Sequence, residues 1–195
     1  MTTEIELKAK VQNSEALRIL LSEKAEYLGS FEKEDVYWNA QGLPIQRLRI
    51  RREKNRLLDG KEESRSLVTI KKKELKENIE INDEQEFEVK PIEGFEEFLK
   101  KMGFKPDFSK RKRGWSFAQA GMIHAELLEL EGLGWFIELE ILVNDAAPGF
   151  LQGNDREEIF KEGKNRLLDF LDSLGIAREA IESRYYSEML QEIQL

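Results

Sequence analysis

Residues 4–11, Glu-Ile-Glu-Leu-Lys-Ala-Lys-Val, decide how the rest of the chain is read. Successive side chains of a strand alternate between its faces, so Ile5, Leu7, Ala9 and Val11 share one side and Glu4, Glu6, Lys8 and Lys10 the other. A strand with one wholly charged face recurs along the chain. Glu86 and Glu88 oppose Phe87 and Val89, and Glu138 and Glu140 oppose Ile137, Leu139 and Ile141. On the basic side, Arg49 and Arg51 oppose Leu48 and Ile50, and Lys71 and Lys73 oppose Ile70.

For any one of these strands, the charged face could be the solvated side of an ordinary antiparallel sheet. Their recurrence, with carboxylates on some strands and cations on others, points instead to a sheet closed on itself. Its apolar faces turn outward beneath helices and its charged faces line the interior. Unpaired charges withdrawn from water each cost several kcal/mol, so such an interior must hold water, a cation and an anion. Carboxylate pairs two residues apart suit a hard divalent ion, Mg²⁺ or Mn²⁺ in preference to zinc. Arginines and lysines on facing strands suit phosphate, and the composite reads as a triphosphate cradle.

Outward from these strands the pattern is β-rich α+β. Further strands are predicted at residues 36–38, 46–52, 66–73, 85–90, 110–117, 124–130 and 135–143, giving eight with the first. A helix is predicted from Asn13 as N-cap to Gly29, with Leu17, Leu20, Leu21 and Leu28 as its apolar stripe. A second spans Phe95–Met102, a third Asp155–Leu174, and the tail from Ala177 reads as helical. The span from Lys54 to Ser64 reads as an exposed loop. Nothing marks a domain boundary, so residues 1–195 are expected to form one domain, with 150–195 a helical segment packed on the barrel.

With 31 basic and 39 acidic residues, the net charge of −8 disfavours a general nucleic-acid binder. The absence of cysteine excludes thiol catalysis and thiolate zinc sites and fits a reducing compartment. No apolar run approaches bilayer length and the N-terminus opens on charged strand sequence, so a cytoplasmic protein is expected. His124, the single histidine, reads as a packed or surface residue, and no Ser-His-Asp arrangement follows from the sequence. Trp38, Trp115 and Trp135 read as packing residues, with Trp38 or Trp115 also placed to flank a nucleobase. The C-terminal helix could cap the barrel or support a homodimer.

The pentad Glu4-Ile-Glu-Leu-Lys8 resembles the ExExK signature of the CYTH superfamily, the triphosphate tunnel metalloenzymes, which include class IV adenylyl cyclases and thiamine triphosphatases. Further landmarks follow in the family's order: Asp35-Val-Tyr37, Leu48-Arg-Ile-Arg51, Thr69-Ile-Lys71, Glu86-Phe-Glu88, the basic run Lys110–Arg113, Gly132-Leu-Gly134, Glu138-Leu-Glu140 and Tyr186-Ser-Glu-Met-Leu190. The resemblance implies an eight-stranded antiparallel tunnel, triphosphate substrates and dependence on Mg²⁺ or Mn²⁺. It makes Glu4, Glu6, Glu138 and Glu140 the leading metal ligands, with Glu86 and Glu88 as further acidic candidates. Lys8, Lys10, Arg49, Arg51, Lys71, Lys110 and Lys112 would hold phosphate, with Glu4, Glu6, Lys8, Arg49 and Arg51 at the catalytic centre. A second register of the basic run would turn Arg111 and Arg113 inward.

Two positions depart from the family. Leu128 stands where members carry an aspartate, with Glu126 on the same face. Asn39-Ala-Gln-Gly-Leu-Pro44 also lacks the segment typical of the cyclase branch. The expectation is therefore a metal-dependent phosphohydrolase acting on inorganic or small organic triphosphate. The rivals are a class IV adenylyl cyclase and a noncatalytic polyphosphate- or nucleotide-binding module.

Overall fold

The computed structural model describes residues 2–40, 47–120, 122–143 and 155–193. Its strands are β1 (Thr2–Lys10), β2 (Glu26–Asn39), β3 (Arg47–Leu57), β4 (Glu62–Lys76), β5 (Ile79–Glu88), β6 (Lys105–Gln119), β7 (Ile123–Leu130) and β8 (Gly134–Val143). The helices are α1 (Ser14–Lys24), α2 (Ile92–Lys101), α3 (Arg156–Ser173) and α4 (Tyr186–Ile193), with one 3₁₀ turn at Arg178–Ala180. All eight strands pair antiparallel in the closed order β1-β5-β4-β3-β2-β6-β7-β8. Closure leaves the ladder no free edge along its shared length. Among the described residues no helix is long and apolar enough to cross a membrane.

The apolar faces do turn outward. Ile5, Leu7 and Ala9 of β1 and Ile137, Leu139 and Ile141 of β8 are buried with Leu17 and Leu21 of α1 and Phe160, Leu167 and Leu171 of α3. Trp38, Ile50 and Val68 are buried with Ile92 and Leu99 of α2. Trp115 stacks on Trp135 with ring centres 5.4 Å apart, so all three tryptophans are packing residues on the outer side. Beyond Glu6, β1 has no partner on its β5 side, and the chain after the 3₁₀ turn fills that edge. Ala9 bridges Ile181, and the Glu182 N–H donates to the Lys8 carbonyl at 2.9 Å.

Three expected boundaries change. The first helix stops at Lys24, and residues 26–39 form one long strand with Gly29 inside it. A register shift falls between Tyr27 and Gly29, and a Cβ on Gly29 would stand 2.4 Å from the Arg56 carbonyl oxygen. Gly29 is thus a bulge residue at φ +148°, where a helix stop was predicted. Residues 54–64 are a hairpin, with Lys54 paired to Ser64 and Arg56 to Glu62. Apart from the half-buried Asn55 and Leu57 its residues are exposed and mostly polar, so no sustained apolar alternation reveals it. The tail folds as the 3₁₀ turn, an extended link and α4. Of the Asn39–Pro44 segment, residues 41–44 lie outside the described residues.

Leu128 is wholly buried beside Leu130, Phe31, Phe136, Tyr186 and Met189. It shares the strand face of His124 and Glu126, which line the barrel cavity, as do Phe31 and Tyr186. An apolar plug anchored by α4 therefore closes part of the interior at the position where the resemblance places an acid.

Candidate active site in the barrel lumen

The barrel encloses a cavity of about 730 Å³. Along one wall run the carboxylates of β1 and its neighbours. Glu6 is paired across the ladders with Glu80 of β5 and Glu140 of β8, and Lys8 with Glu138. Lys71 reaches over from β4, its Nζ 2.6 Å from Glu84, 3.0 Å from Glu4 and 3.6 Å from Glu6. One ammonium cannot neutralise three carboxylates. Glu84 is held below its ordinary range despite burial, because Lys71 and Arg49 outweigh it. Burial, reinforced by Glu140, Glu84 and Glu6, pushes Glu4 up to about 8. Glu6 is raised too, by burial and by Glu80.

The opposite wall is cationic and internally braced. Arg51 donates Nε and Nη2 to the two oxygens of Asp35 at 2.6 and 2.9 Å, and Lys110 lies 3.7 Å from the same carboxylate. Burial would raise Asp35, but Arg51, Arg49 and Lys110 hold it well below the usual range. Arg49 donates to Thr69 at 2.9 Å and to Glu86 at 3.3 Å. Between the walls, Lys112 donates to Glu138 at 2.7 Å and lies 3.5 Å from Glu126, which also accepts from Lys33. Lys8 and Lys73 both donate to Glu80, at 2.7 and 2.6 Å, and against burial they bring it to about 2. The Tyr186 ring, at the start of α4, lies 4.8 Å from the Lys110 ammonium and 5.5 Å from that of Lys8.

Of the residues expected from sequence, Glu4, Glu6, Lys8, Arg49, Arg51, Lys71, Glu86, Lys110, Lys112, Glu138 and Glu140 all line this cavity. The basic run takes the first register, since Arg111 and Arg113 point out onto Glu34 and Glu129. Two expected residues fall outside. Lys10, at the last position of β1, is half exposed and meets Glu182 at 3.5 Å. Glu88 is exposed beside Lys90, because β5 pairs with β1 only over Glu80–Glu84 and has left the closed barrel four residues later.

Sequence reading overlooked other lining residues. Glu80 and Glu84 continue backward the same alternation that flagged Glu86, and Glu126 alternates with Ala125 and Leu127, so parity could have found them. Tyr37 alternates with the outward Val36 and Trp38 and was equally legible, whereas Lys33 carried no such signal, because Glu32 and Glu34 make the outer face charged there as well. His124 also corrects its expectation by lining the cavity. Its Nδ1 lies 3.1 Å from Glu140 and its Nε2 2.7 Å from the Ser116 hydroxyl. A neutral ring that donates from Nδ1 accepts the serine proton at Nε2 and thereby orients Glu140.

The lumen is chemically suited to a divalent ion and a polyanion. All candidate ligands are oxygen donors, which favours a hard cation. The buried Asn82 Oδ1, whose amide nitrogen donates to Glu6 at 3.2 Å, has no hydrogen-bond partner among the described residues; nor has the buried Arg49 Nε. As the side chains stand, no three carboxylate or imidazole groups among the described residues are placed to hold a metal ion. The Lys71 ammonium lies among Glu4, Glu6 and Glu84 instead.

A closed antiparallel barrel with opposed acidic and cationic inner walls defines a tunnel-type architecture built around charge. The chain belongs to the CYTH domain family, whose model matches residues 2–186. It is 26% identical over 191 residues to a putative adenylate cyclase of Methanocaldococcus jannaschii, covering 95% of this chain and 97% of that protein. A solved structure from Pyrococcus horikoshii superposes with a TM-score of 0.79 at 26% identity, over 97% of this chain and 99% of the other. A putative adenylyl cyclase from Hippeastrum, described as having dominant triphosphatase activity, shares the fold with a TM-score of 0.66 at 18% identity. That match covers 100% of this chain and 97% of the other.

Proposed function

We propose that this chain is a single tunnel domain that hydrolyses the terminal phosphoanhydride of inorganic triphosphate or a small organic triphosphate. The observation that carries the reading is one lumen lined by a wall of carboxylates, Glu4, Glu6, Glu138 and Glu140, and an opposed wall of cations, Arg49, Arg51 and Lys110, with Lys112 between them. The carboxylates would hold Mg²⁺ or Mn²⁺. Such an ion, when bound, supplies Lewis acidity to phosphate oxygens and lowers the pKa of coordinated water.

The chain's own residues do the rest. Arg49 and Arg51, which line the cavity, are fixed by Thr69 and Asp35, so their guanidinium groups are already oriented. Lys8, Lys71, Lys110 and Lys112 add positive charge where negative charge redistributes in a loose in-line displacement. Tyr186 and the plug behind it close one side and restrict water. Water is the nucleophile, and no covalent protein intermediate is required.

The names of the relatives favour a second reading, adenylyl cyclase, in which a ribose hydroxyl attacks the α-phosphorus and pyrophosphate leaves. The Hippeastrum protein's described triphosphatase activity and the sequence of residues 39–44 support taking hydrolysis as the first reading. The test is to incubate the protein with Mg²⁺ or Mn²⁺ and, separately, tripolyphosphate, thiamine triphosphate and ATP, resolving orthophosphate, pyrophosphate and cyclic AMP. Orthophosphate supports the hydrolase and cyclic AMP the cyclase. Absence of any product would leave a binding module and overturn both.

A further inference from the structure

Among the described cations of the lumen, Lys71 alone meets three carboxylates. Arg49, Arg51 and Lys110 lie against the cationic wall, whereas Lys71 projects from β4 into the carboxylates of β1 and β5, 14% exposed. Its Nζ is 2.6 Å from Glu84, 3.0 Å from Glu4 and 3.6 Å from Glu6. That is where any cation bridging β1 and β5 would sit. A divalent ion takes carboxylate oxygens at about 2.0–2.6 Å and cannot share them with an ammonium at these distances. The lysine stem is flexible and its charge compact. Next door on β3 stands Arg49, which lines the same cavity, so an anion bound to it would offer the ammonium a new partner. Arg49 pairs with Thr69, two residues from Lys71 on the same face of β4.

We propose that Lys71 is the resident counter-ion of the carboxylate cage, whose ammonium must leave before a divalent ion can be held there and then turns to the polyphosphate bound by Arg49. The cation and the polyanion thereby bind as a coupled pair, since each removes an obstacle to the other. The proposal rests on the reading that Glu4 and Glu6 are metal ligands. It explains why these carboxylates are not placed to hold a metal ion as they stand: they are gathered around the Lys71 ammonium instead.

The test is Mn²⁺ binding to the full chain by calorimetry, without phosphate of any kind, for the wild type, Lys71→Met, Lys110→Met and Glu4→Gln. Lys71→Met is expected to bind Mn²⁺ at least about tenfold tighter than the wild type, and Lys110→Met to change affinity by less than about threefold. Adding a nonhydrolysable imidotriphosphate should tighten Mn²⁺ binding less in Lys71→Met than in the wild type. A second measurement needs no variant to fold. In ¹⁵N–¹H spectra of lysine ammonium groups in the wild type, saturating Mg²⁺ should shift the Lys71 signal or remove its protection from exchange.

Equal or weaker Mn²⁺ affinity in Lys71→Met, or a Lys71 ammonium indifferent to Mg²⁺, overturns the proposal. If Glu4→Gln weakens Mn²⁺ binding while Lys71→Met leaves it unchanged, the metal cage survives and only the counter-ion role falls. If Glu4→Gln binds as well as the wild type, or neither the wild type nor Lys71→Met binds Mn²⁺, the ligand assignment falls with it.

Discussion

Replacing Asp35 by asparagine tests whether the cationic wall is desolvated. Asp35 has no exposed surface and accepts two hydrogen bonds from Arg51, whose side chain is 11% exposed. Asparagine keeps the shape, removes the charge and turns an amide NH₂ toward a guanidinium and the Lys110 ammonium. Removing one partner of a buried pair costs about 3–5 kcal/mol, because the other charge is left uncompensated. At roughly 2–4 °C per kcal/mol for a chain of this size, Tm should fall by about 6–20 °C. The assay is urea unfolding of the metal-free protein, followed by circular dichroism and tryptophan fluorescence. Glu157→Gln, which removes an exposed pair with Lys76, is the control and should stay within about 0.5 kcal/mol of the wild type. The pH dependence supplies a second check. The Asp35 carboxyl is depressed in the folded state, so its contribution is complete above its unfolded value near 3.8 and is lost as pH falls toward the folded value. The gap between wild type and variant should therefore be level from about pH 5 to 7 and narrow below about pH 4. A variant within about 1 kcal/mol of wild type at pH 7, or a gap that persists unchanged in acid, would refute burial of the pair.

Glu6→Gln and Glu140→Gln should each abolish metal-supported turnover while circular dichroism stays native; wild-type rates in both would remove them from the ligand set. Lys110→Ala should lower kcat/KM by about a hundredfold or more, whereas Arg111→Ala should leave it within about twofold, and steady-state kinetics on both checks the inward register of the basic run. Glu4 is raised in the folded state, so its effect has the opposite sign to that of Asp35. As pH rises from about 4.5 toward about 8 the unfolded chain ionises before the folded one does, and the metal-free wild type should lose stability relative to Glu4→Gln. Urea midpoints for both proteins across that range would show it, and parallel curves would contradict it. Leu128→Asp, which restores the acid that the family resemblance leads one to expect, should destabilise the chain by several kcal/mol, since it places a charge in the plug beside Phe31 and Phe136. A thermal melt at or above the wild-type midpoint would show that the plug is wetter than its packing implies.

Alternation alone determined which residues of β1, β3, β4 and β8 turn inward, because side-chain direction in a strand is a local property with a period of two. The same parity made closure intelligible, since repeated charged faces of both signs have no sensible home on an apolar core. Tertiary structure decided everything that depends on neighbours and on where the barrel ends. Glu88 and Lys10 obey the parity rule yet lie outside, because pairing has stopped at those positions. Lys33 lies inside although Glu32 and Glu34 make both faces of β2 polar at that point, because burial there is imposed by β3 and β6. The meeting of Lys71 with Glu4 and of His124 with Glu140 follows from strand order and register. Those are properties of the closed sheet, and no single segment encodes them.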